Sequence, residues 1–154
     1  MAIGTNDLKD KFGTQDAVTT TGGSTADAAF TSAGQWTNDD DAPEAAALLV
    51  AQWATATSIA GKAINLYARV HNILSTTEAA APSATHRVVY LGTFIAPAST
   101  AATDFYMPLV KGRMALPNYY TSTIIEFYIE NQTGQTISAN WSLYVTPITQ
   151  GPSA

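Results

Sequence analysis

The chain has 154 residues, of which 46% are hydrophobic and 12% are charged, and its formal net charge is −5 at pH 7. This length and apolar content suffice for one domain with a closed core, and so few charged residues predict a surface of polar uncharged side chains. Seven Lys and Arg residues in all argue against nucleic-acid binding. The absence of Cys excludes disulfides, thiolate metal sites and Cys nucleophiles, and the longest apolar run, residues 45–51, is too short for a membrane helix.

The first 40 residues are rich in Thr, Gly, Ser, Asn and Asp and follow neither the strand nor the helix period. Residues 1–44 carry eight acidic and two basic side chains, a net charge of −6, whereas residues 45–154 carry four and five, a net charge of +1. We predict an extended N-terminal arm over residues 1–40 and a β-sandwich domain over residues 41–154. The large apolar residues of the arm are interpreted as anchors that pack on the domain itself or on a partner. They are Leu8, Phe12, Phe30 and Trp36.

Residues 42–56 fit two kinds of element. Asp41 and Glu44 have the spacing of a helix N-cap and its capping-box partner, and Leu49 and Trp53 are four residues apart, which is typical of a helix. Leu49 and Trp53 also share one face of a two-residue period, which is typical of a strand. The β character of the remaining chain favours a strand, and a helix stays open as the alternative.

Three later segments, residues 62–73, 123–130 and 136–147, alternate apolar and polar side chains with a period of two. This is the pattern of strands that bury one face and expose the other to water. We expect Glu126 and Glu130 to lie on the exposed face of their strand. The side chains predicted to point into the core include Ile64, Phe127 and Trp141.

The remaining β signals concern the connections and edges. Residues 131–135 form a short polar stretch with a Gly, which predicts a hairpin between antiparallel neighbours. Residues 87–96 are apolar on both faces and predict a central strand, whereas Pro108 places residues 105–110 at a sheet edge. Six or more strands without covering helices predict an all-β protein whose antiparallel sheets close as a sandwich or barrel.

The titratable residues do not cluster in the pattern of an active site. The two His residues, His71 and His86, have no further ligand at metal-site spacing, and we predict no catalytic residue, no metal and no cofactor. The acidic run at residues 38–41 does not match a calcium-binding EF-hand loop and is interpreted as a solvated turn. Tyr119 and Tyr120 follow Pro and Asn in a loop, where aromatic rings serve as protein-contact anchors, as sugar platforms or as cover for the core.

Several of these segments resemble a known group of proteins. The residues that carry the resemblance are WTNDDDAPE at 36–44, LYAR at 66–69, EFYIEN at 126–131 and ANWS at 139–142. Over about residues 28–149, the chain is similar to small virion structural proteins of tailed bacteriophages. The resemblance implies a jelly-roll-like β-sandwich and a strand over residues 45–54.

The resemblance also implies a function, namely that of a capsid decoration (cement) protein that binds and stabilises the outer shell of the phage head. The implied partners are the major capsid protein and neighbouring copies of the same chain, with a homotrimer as the leading arrangement. The implied location is the capsid surface of the virion after synthesis in the host cytoplasm, and the lack of a signal-peptide pattern at the N-terminus fits this expectation. Two alternatives stay open: a carbohydrate- or receptor-binding module that stacks glycans on Tyr106, Tyr119 and Tyr120, and a neck or tail component.

Overall fold

The computed structural model describes residues 8–55, 59–70, 80–85, 89–98, 102–117 and 121–152. All the regular structure in these residues is β-strand, as the sequence predicts. The strands are β1 (Leu8–Phe12), β2 (Asp16–Gly22), β3 (Phe30–Asn38), β4 (Glu44–Ala51), β5 (Ala63–Val70), β6 (Val89–Ile95), β7 (Phe105–Pro108), β8 (Met114–Ala115), β9 (Thr123–Gln132) and β10 (Trp141–Pro152).

Two antiparallel sheets make up the sandwich. Sheet 1 has the order β1-β10-β4-β7, with β2 also paired to β10 and β8 also paired to β4, and sheet 2 has the order β3-β9-β5-β6. β1 and β2 follow one another along the same edge of β10, and β7 and β8 follow one another along the same edge of β4. Counting each of these pairs as one strand gives two four-stranded sheets in the strand order of a jelly roll. The predicted antiparallel sandwich of jelly-roll type is therefore confirmed.

The core lies between the sheets and is filled by the side chains that the two-residue period places inward. Ile64, Phe127 and Trp141 are all buried, as predicted. Residues 44–51 form strand β4, so the strand interpretation of this segment is confirmed, and Leu49 is fully buried opposite Leu143. Burial of so many large side chains provides the main stabilising free energy of the fold.

The described part of the predicted arm lies within the two sheets. Residues 8–22 pair with β10 in sheet 1, and residues 30–38 pair with β9 in sheet 2, whereas the sequence analysis placed residues 1–40 outside the sandwich. A bulge between Ser32 and Gly34 shifts the register of β3, and the φ of +104° at Gly34 is one that Gly adopts readily. Because of this bulge the inward residues are Ala33 and Trp36, three apart, and the two-residue period is lost.

Two predictions about strand placement are wrong. Residues 131–135 do not form a hairpin, because β9 belongs to sheet 2 and β10 to sheet 1, and the connection crosses between the sheets. The side chain of Asn131 supports this crossing by donating hydrogen bonds to the backbone oxygens of Thr25 and Gln135. The strand within residues 87–96, β6, is not central but lies at the edge of sheet 2, while β7 lies at the edge of sheet 1 as predicted.

Candidate interaction surfaces

The outer face of sheet 1 carries large apolar side chains in water. On β1 the alternating residues Leu8 and Phe12 are 68% and 64% exposed, and on β7 at the opposite edge Tyr106 is 69% exposed. The strand register places them on the same face of the sheet. Phe12 on β1 pairs with Ile148 on β10, and Ile148 pairs with Glu44 on β4. Val50 lies six residues after Glu44, on the same face of β4, and pairs with Tyr106 on β7. We call Leu8, Phe12, Val50 and Tyr106 the sheet 1 face. Across the strands it spans three interstrand spacings of about 4.8 Å each, or roughly 14 Å, and along the strands the row of Tyr106 lies six residues from the row of Phe12, or roughly 20 Å.

An ionic bridge crosses one end of the sheet 1 face. Arg113 donates to Asp10 Oδ2 at 2.8 Å and to Glu44 Oε2 at 2.9 Å, so it joins β1 to β4 across β10. These two hydrogen-bonded carboxylates raise the pKa of Arg113. Ile148 lies in the register row of Glu44 and is buried although it belongs to no part of the intersheet core. Ile148 is therefore an apolar residue that is buried on the outer side of the sheet.

The outer face of sheet 2 is a buried polar network rather than the wet surface that the alternation predicts. Glu130 does point away from the core, yet only 1% of it is exposed. Its carboxylate accepts hydrogen bonds from Tyr67 Oη at 3.0 Å, from Asn65 Nδ2 at 2.9 Å and from Gln132 Nε2 at 2.7 Å. A buried carboxylate requires such donors because the loss of hydration is costly. The network consequently ties β9 to β5 through side chains as well as backbone.

Glu126 forms the second half of this network. Its carboxylate accepts a hydrogen bond from Ser32 Oγ at 2.8 Å. It also forms an ion pair with the Arg69 guanidinium, whose Nε donates a hydrogen bond to it at 2.9 Å. The guanidinium carbon of Arg69 also lies 5.9 Å from the ring centroid of Tyr128. Burial, followed by the hydrogen bond to Glu126, raises the pKa of Tyr128 to about 12. Since both carboxylates are saturated with donors, this arrangement holds strands and rings in place.

A groove of about 310 Å³ opens between the two sheets on the side where β6 faces the β7–β8 connection. Tyr90 and Ile95 of β6 line one wall, and Val110, Lys111 and Arg113 line the other. This groove was not predicted from the sequence. The available signal was the apolar character of both faces of residues 87–96, which reflects a groove at an edge and not a central strand.

The residues proposed as partner contacts from sequence do not form one surface. Leu8 and Phe12 lie together on the sheet 1 face. Phe30 lies on the outer side of sheet 2, half-buried, with its ring centroid 5.6 Å from that of Tyr67. Trp36 is buried in the core, its ring centroid lies 6.2 Å from that of Phe127, and its Nε1 donates to Asp16 Oδ2 at 3.0 Å. Tyr119, Tyr120, His71 and His86 are outside the described residues.

The acidic run at residues 38–41 forms the turn between β3 and β4. Asn38 is fully buried, and its side chain makes two hydrogen bonds of 2.9 Å with the backbone of Ala42. Asp41 accepts a hydrogen bond from the backbone N–H of Ser122 at 2.9 Å. Among the described residues, no three or more His, Asp or Glu side chains are grouped to hold a metal ion. The same part of the chain contains no helix long and apolar enough to cross a membrane.

Comparisons with known proteins give a match among solved structures. No protein-family model matches the chain, and no curated protein matches it. Among solved structures, the chain is similar to a chain in the structure of the infectious bursal disease virus Gx strain, with a TM-score of 0.40 and 19% sequence identity. The match covers 92% of this chain and 33% of the viral one, so this chain spans about a third of the length of that neighbour.

Proposed function

We propose that this protein is a structural component of a virus particle, and specifically a decoration protein that docks on the outer shell of a tailed-phage head. The observation that carries the proposal is the sheet 1 face. Its residues Leu8, Phe12 and Tyr106 are each about two-thirds exposed and lie on both edges of one sheet. Exposed Leu, Phe and Tyr side chains that share one sheet face are typical anchors of protein interaction surfaces.

The physical basis of docking is the removal of these side chains from water. Burial of an exposed Leu or Phe side chain is worth about 1.5–3 kcal/mol, so three or four of them supply a substantial share of a protein–protein contact before the costs of association are met. The charges nearest to Leu8 and Phe12 belong to β1 itself and to the ionic bridge, in which Arg113 pairs with Asp10 and Glu44. Because these carboxylates keep Arg113 as their partner, covering the face does not leave them unpaired.

The proposed mechanism of shell stabilisation is mass action. A protein that binds only the assembled shell shifts the equilibrium toward that state, by an amount set by its concentration relative to its dissociation constant. When each copy bridges neighbouring capsomers, many modest contacts act together on one particle. The sheet 1 face supports this role because it presents one broad contact surface instead of a closed catalytic pocket.

The decisive experiment is cosedimentation of the purified protein with shells of its virus that lack it. We expect Phe12→Asp, alone and combined with Leu8→Asp, to abolish binding, because it places a charge in the proposed contact. Thr37→Asp is the matched control, since Thr37 is also an exposed residue on an edge strand but lies on sheet 2. Thermal melts check that all variants are folded. Undiminished shell binding by the Phe12→Asp variant would overturn the proposed docking face.

Copy number distinguishes a head protein from a neck or tail component. Quantitative mass spectrometry of purified virions should find hundreds of copies per particle for a decoration protein, and about six to twelve for a neck or tail ring.

The rival carbohydrate-binding function is favoured by one observation, the exposed ring of Tyr106. A glycan array separates the two: Tyr106-dependent glycan binding, together with failure to bind shells, would replace the decoration function by that of a receptor-binding module.

A further inference from the structure

The groove between β6 and the β7–β8 connection is formed by different elements from the sheet 1 face. β6 is the edge strand of sheet 2, and the facing wall is the turn that follows β7 in sheet 1. The volume of the groove, about 310 Å³, lies at the lower end of the range for ligand sites. From Tyr90 to Ile95 the wall formed by β6 extends five residue rises of about 3.3 Å, or roughly 17 Å. The groove is therefore long and narrow.

Backbone hydrogen bonds fix the two walls relative to each other. The N–H of Val110 donates to the carbonyl of Thr93 at 2.9 Å, which joins the turn to β6. Within the turn, the N–H of Gly112 donates to the carbonyl of Leu109 at 2.9 Å, and Gly112 has a φ of +74°. Gly92 on β6 lacks a side chain where Leu109 packs, and a Cβ there would lie 2.9 Å from Leu109 Cδ2. The groove is thus present before any ligand binds, which lowers the entropic cost of binding.

The walls of the groove are apolar and exposed. Tyr90 is 57% exposed, Ile95 43% and Val110 63%, although Tyr90 and Ile95 belong to a strand and Val110 to the turn that is bonded to it. The two hydroxyl groups on the β6 side, Tyr90 Oη and Thr93 Oγ1, hydrogen-bond to each other at 2.5 Å. Thr93 Oγ1 also donates to Asn65 Oδ1. Because these hydroxyls are already engaged, the groove is suited to apolar side chains better than to the many hydroxyls of a sugar.

The charge at one end of the groove is positive. Lys111 and Arg113 are two of only seven basic residues in the chain, and no described residue that lines the groove is acidic. Arg113 is already neutralised by Asp10 and Glu44. Lys111 forms no ion pair with any described residue and is exposed beside Val110. A ligand with a carboxylate next to apolar groups complements this arrangement.

We propose that this groove binds an extended segment of a partner protein in which apolar residues are followed by a carboxylate. The apolar residues pack along β6 between Tyr90, Ile95 and Val110, and the carboxylate meets Lys111 at the end. The groove length matches about five residues of extended chain. Because the backbone of the turn is already bonded to the edge of β6, the segment is held by side-chain contacts and not as an added strand. The proposal goes beyond the docking of the sheet 1 face and does not depend on it.

The test uses two panels of fluorescein-labelled synthetic peptides and the full-length protein. Each peptide has five residues drawn from Leu, Ile, Val and Phe, followed by two Glu in one panel and by two Lys in the other. Fluorescence anisotropy measures binding to the wild type, to Lys111→Glu and to Lys62→Glu. Lys62 is the matched control because it is an exposed lysine that does not line the groove. Both substitutions are on the surface, and thermal melts establish that the fold is kept.

We expect the Glu panel to bind the wild type and the Lys62→Glu variant equally, and to bind Lys111→Glu about fivefold or more weakly, because attraction between exposed charges becomes repulsion. Binding should weaken as salt is added, and the amide resonances of Ile95 and Val110 should shift when peptide is titrated in. Three results would overturn the proposal: no binding of the Glu panel at millimolar concentration, equal binding of the Lys panel, or equal affinities of the two variants. The proposal would also be overturned if peptide shifted only the amide resonances of the sheet 1 face.

Discussion

Gly22 on β2 pairs with Trp141 on β10, and the indole ring lies so close to Gly22 that a Cβ at this position would overlap ring atoms. The ring is held there by a hydrogen bond of 2.6 Å from its Nε1 to the carbonyl of Gly23. Trp141 is among the largest side chains that are fully buried in the core. The junction between β2 and the rest of sheet 1 thus depends on the absence of a side chain at one residue.

We expect Gly22→Ala to lower the free energy of unfolding by about 2 kcal/mol, because the added methyl group displaces a buried ring. Gly23→Ala is the control, since a Cβ on Gly23 meets no heavy atom within 4 Å and should change stability by less than about 0.5 kcal/mol. Urea denaturation of both variants, followed by Trp fluorescence, provides the measurement. Similar losses in the two variants would contradict the close packing of Gly22 and Trp141.

The two fully buried Trp residues of the core differ in their hydrogen bonding. Trp141 Nε1 has the Gly23 carbonyl as its acceptor, whereas Trp53 Nε1 has no acceptor among the described residues. Replacement by Phe removes similar ring volume at both positions, but only at Trp141 does it also remove a hydrogen bond. We therefore expect Trp141→Phe to be more destabilising than Trp53→Phe by about 1 kcal/mol. Equal midpoints in urea denaturation would show that Trp53 makes an equivalent bond.

The inward side chains could be predicted from the sequence because a strand places alternate residues on opposite faces wherever its register is regular. β9 illustrates this, since Phe127 is buried in the core as the alternation requires. β3 illustrates the failure, because the bulge at Gly34 moves Trp36 out of the two-residue period. A bulge depends on pairing with another strand, so the sequence of β3 alone does not reveal it.

The polar outer face of sheet 2 and the groove required three-dimensional information. Alternation correctly places Glu130 opposite the core, but it cannot indicate that the carboxylate is buried among donors from Tyr67 and Asn65 on a strand about 60 residues earlier. Likewise, the polar residues between β9 and β10 are compatible both with a hairpin and with a crossing between sheets. Only the pairing of β9 with β5 and of β10 with β4 distinguishes these possibilities.

The raised pKa of Tyr128 predicts a specific loss of stability at high pH. The unfolded chain releases the Tyr128 proton near pH 10, whereas the folded protein retains it until about pH 12. Between these values the folded state binds more protons than the unfolded state, so stability falls as the pH rises. Tyr128→Phe removes this ionisable group and leaves every other tyrosine in place, so we expect a steeper decline in the wild type than in this variant.

The measurement is the midpoint of urea denaturation between about pH 9 and pH 12, together with ultraviolet absorbance of tyrosinate. In the absorbance titration, the wild type and Tyr128→Phe should differ by one tyrosine that ionises at about pH 12. Parallel stability profiles of the two proteins would contradict a pKa raised by burial and by the neighbouring Glu126 carboxylate.

The ionic bridge of Arg113 predicts a local role in holding the edge strand β1. All five residues of β1 are exposed, so β1 is attached by its backbone pairing with β10 and by the ion pair from Arg113 to Asp10. We expect Arg113→Ala to speed hydrogen exchange of the β1 amides, measured by mass spectrometry, while the global melting temperature changes little. Lys62→Ala, which removes an exposed cation elsewhere, should leave β1 exchange unchanged.

Added salt should bring hydrogen exchange of β1 in the wild type toward that in Arg113→Ala, because exposed ion pairs are screened. If exchange in β1 is the same with and without Arg113, the backbone ladder alone retains this strand, and the bridge has no part in presenting Leu8 and Phe12.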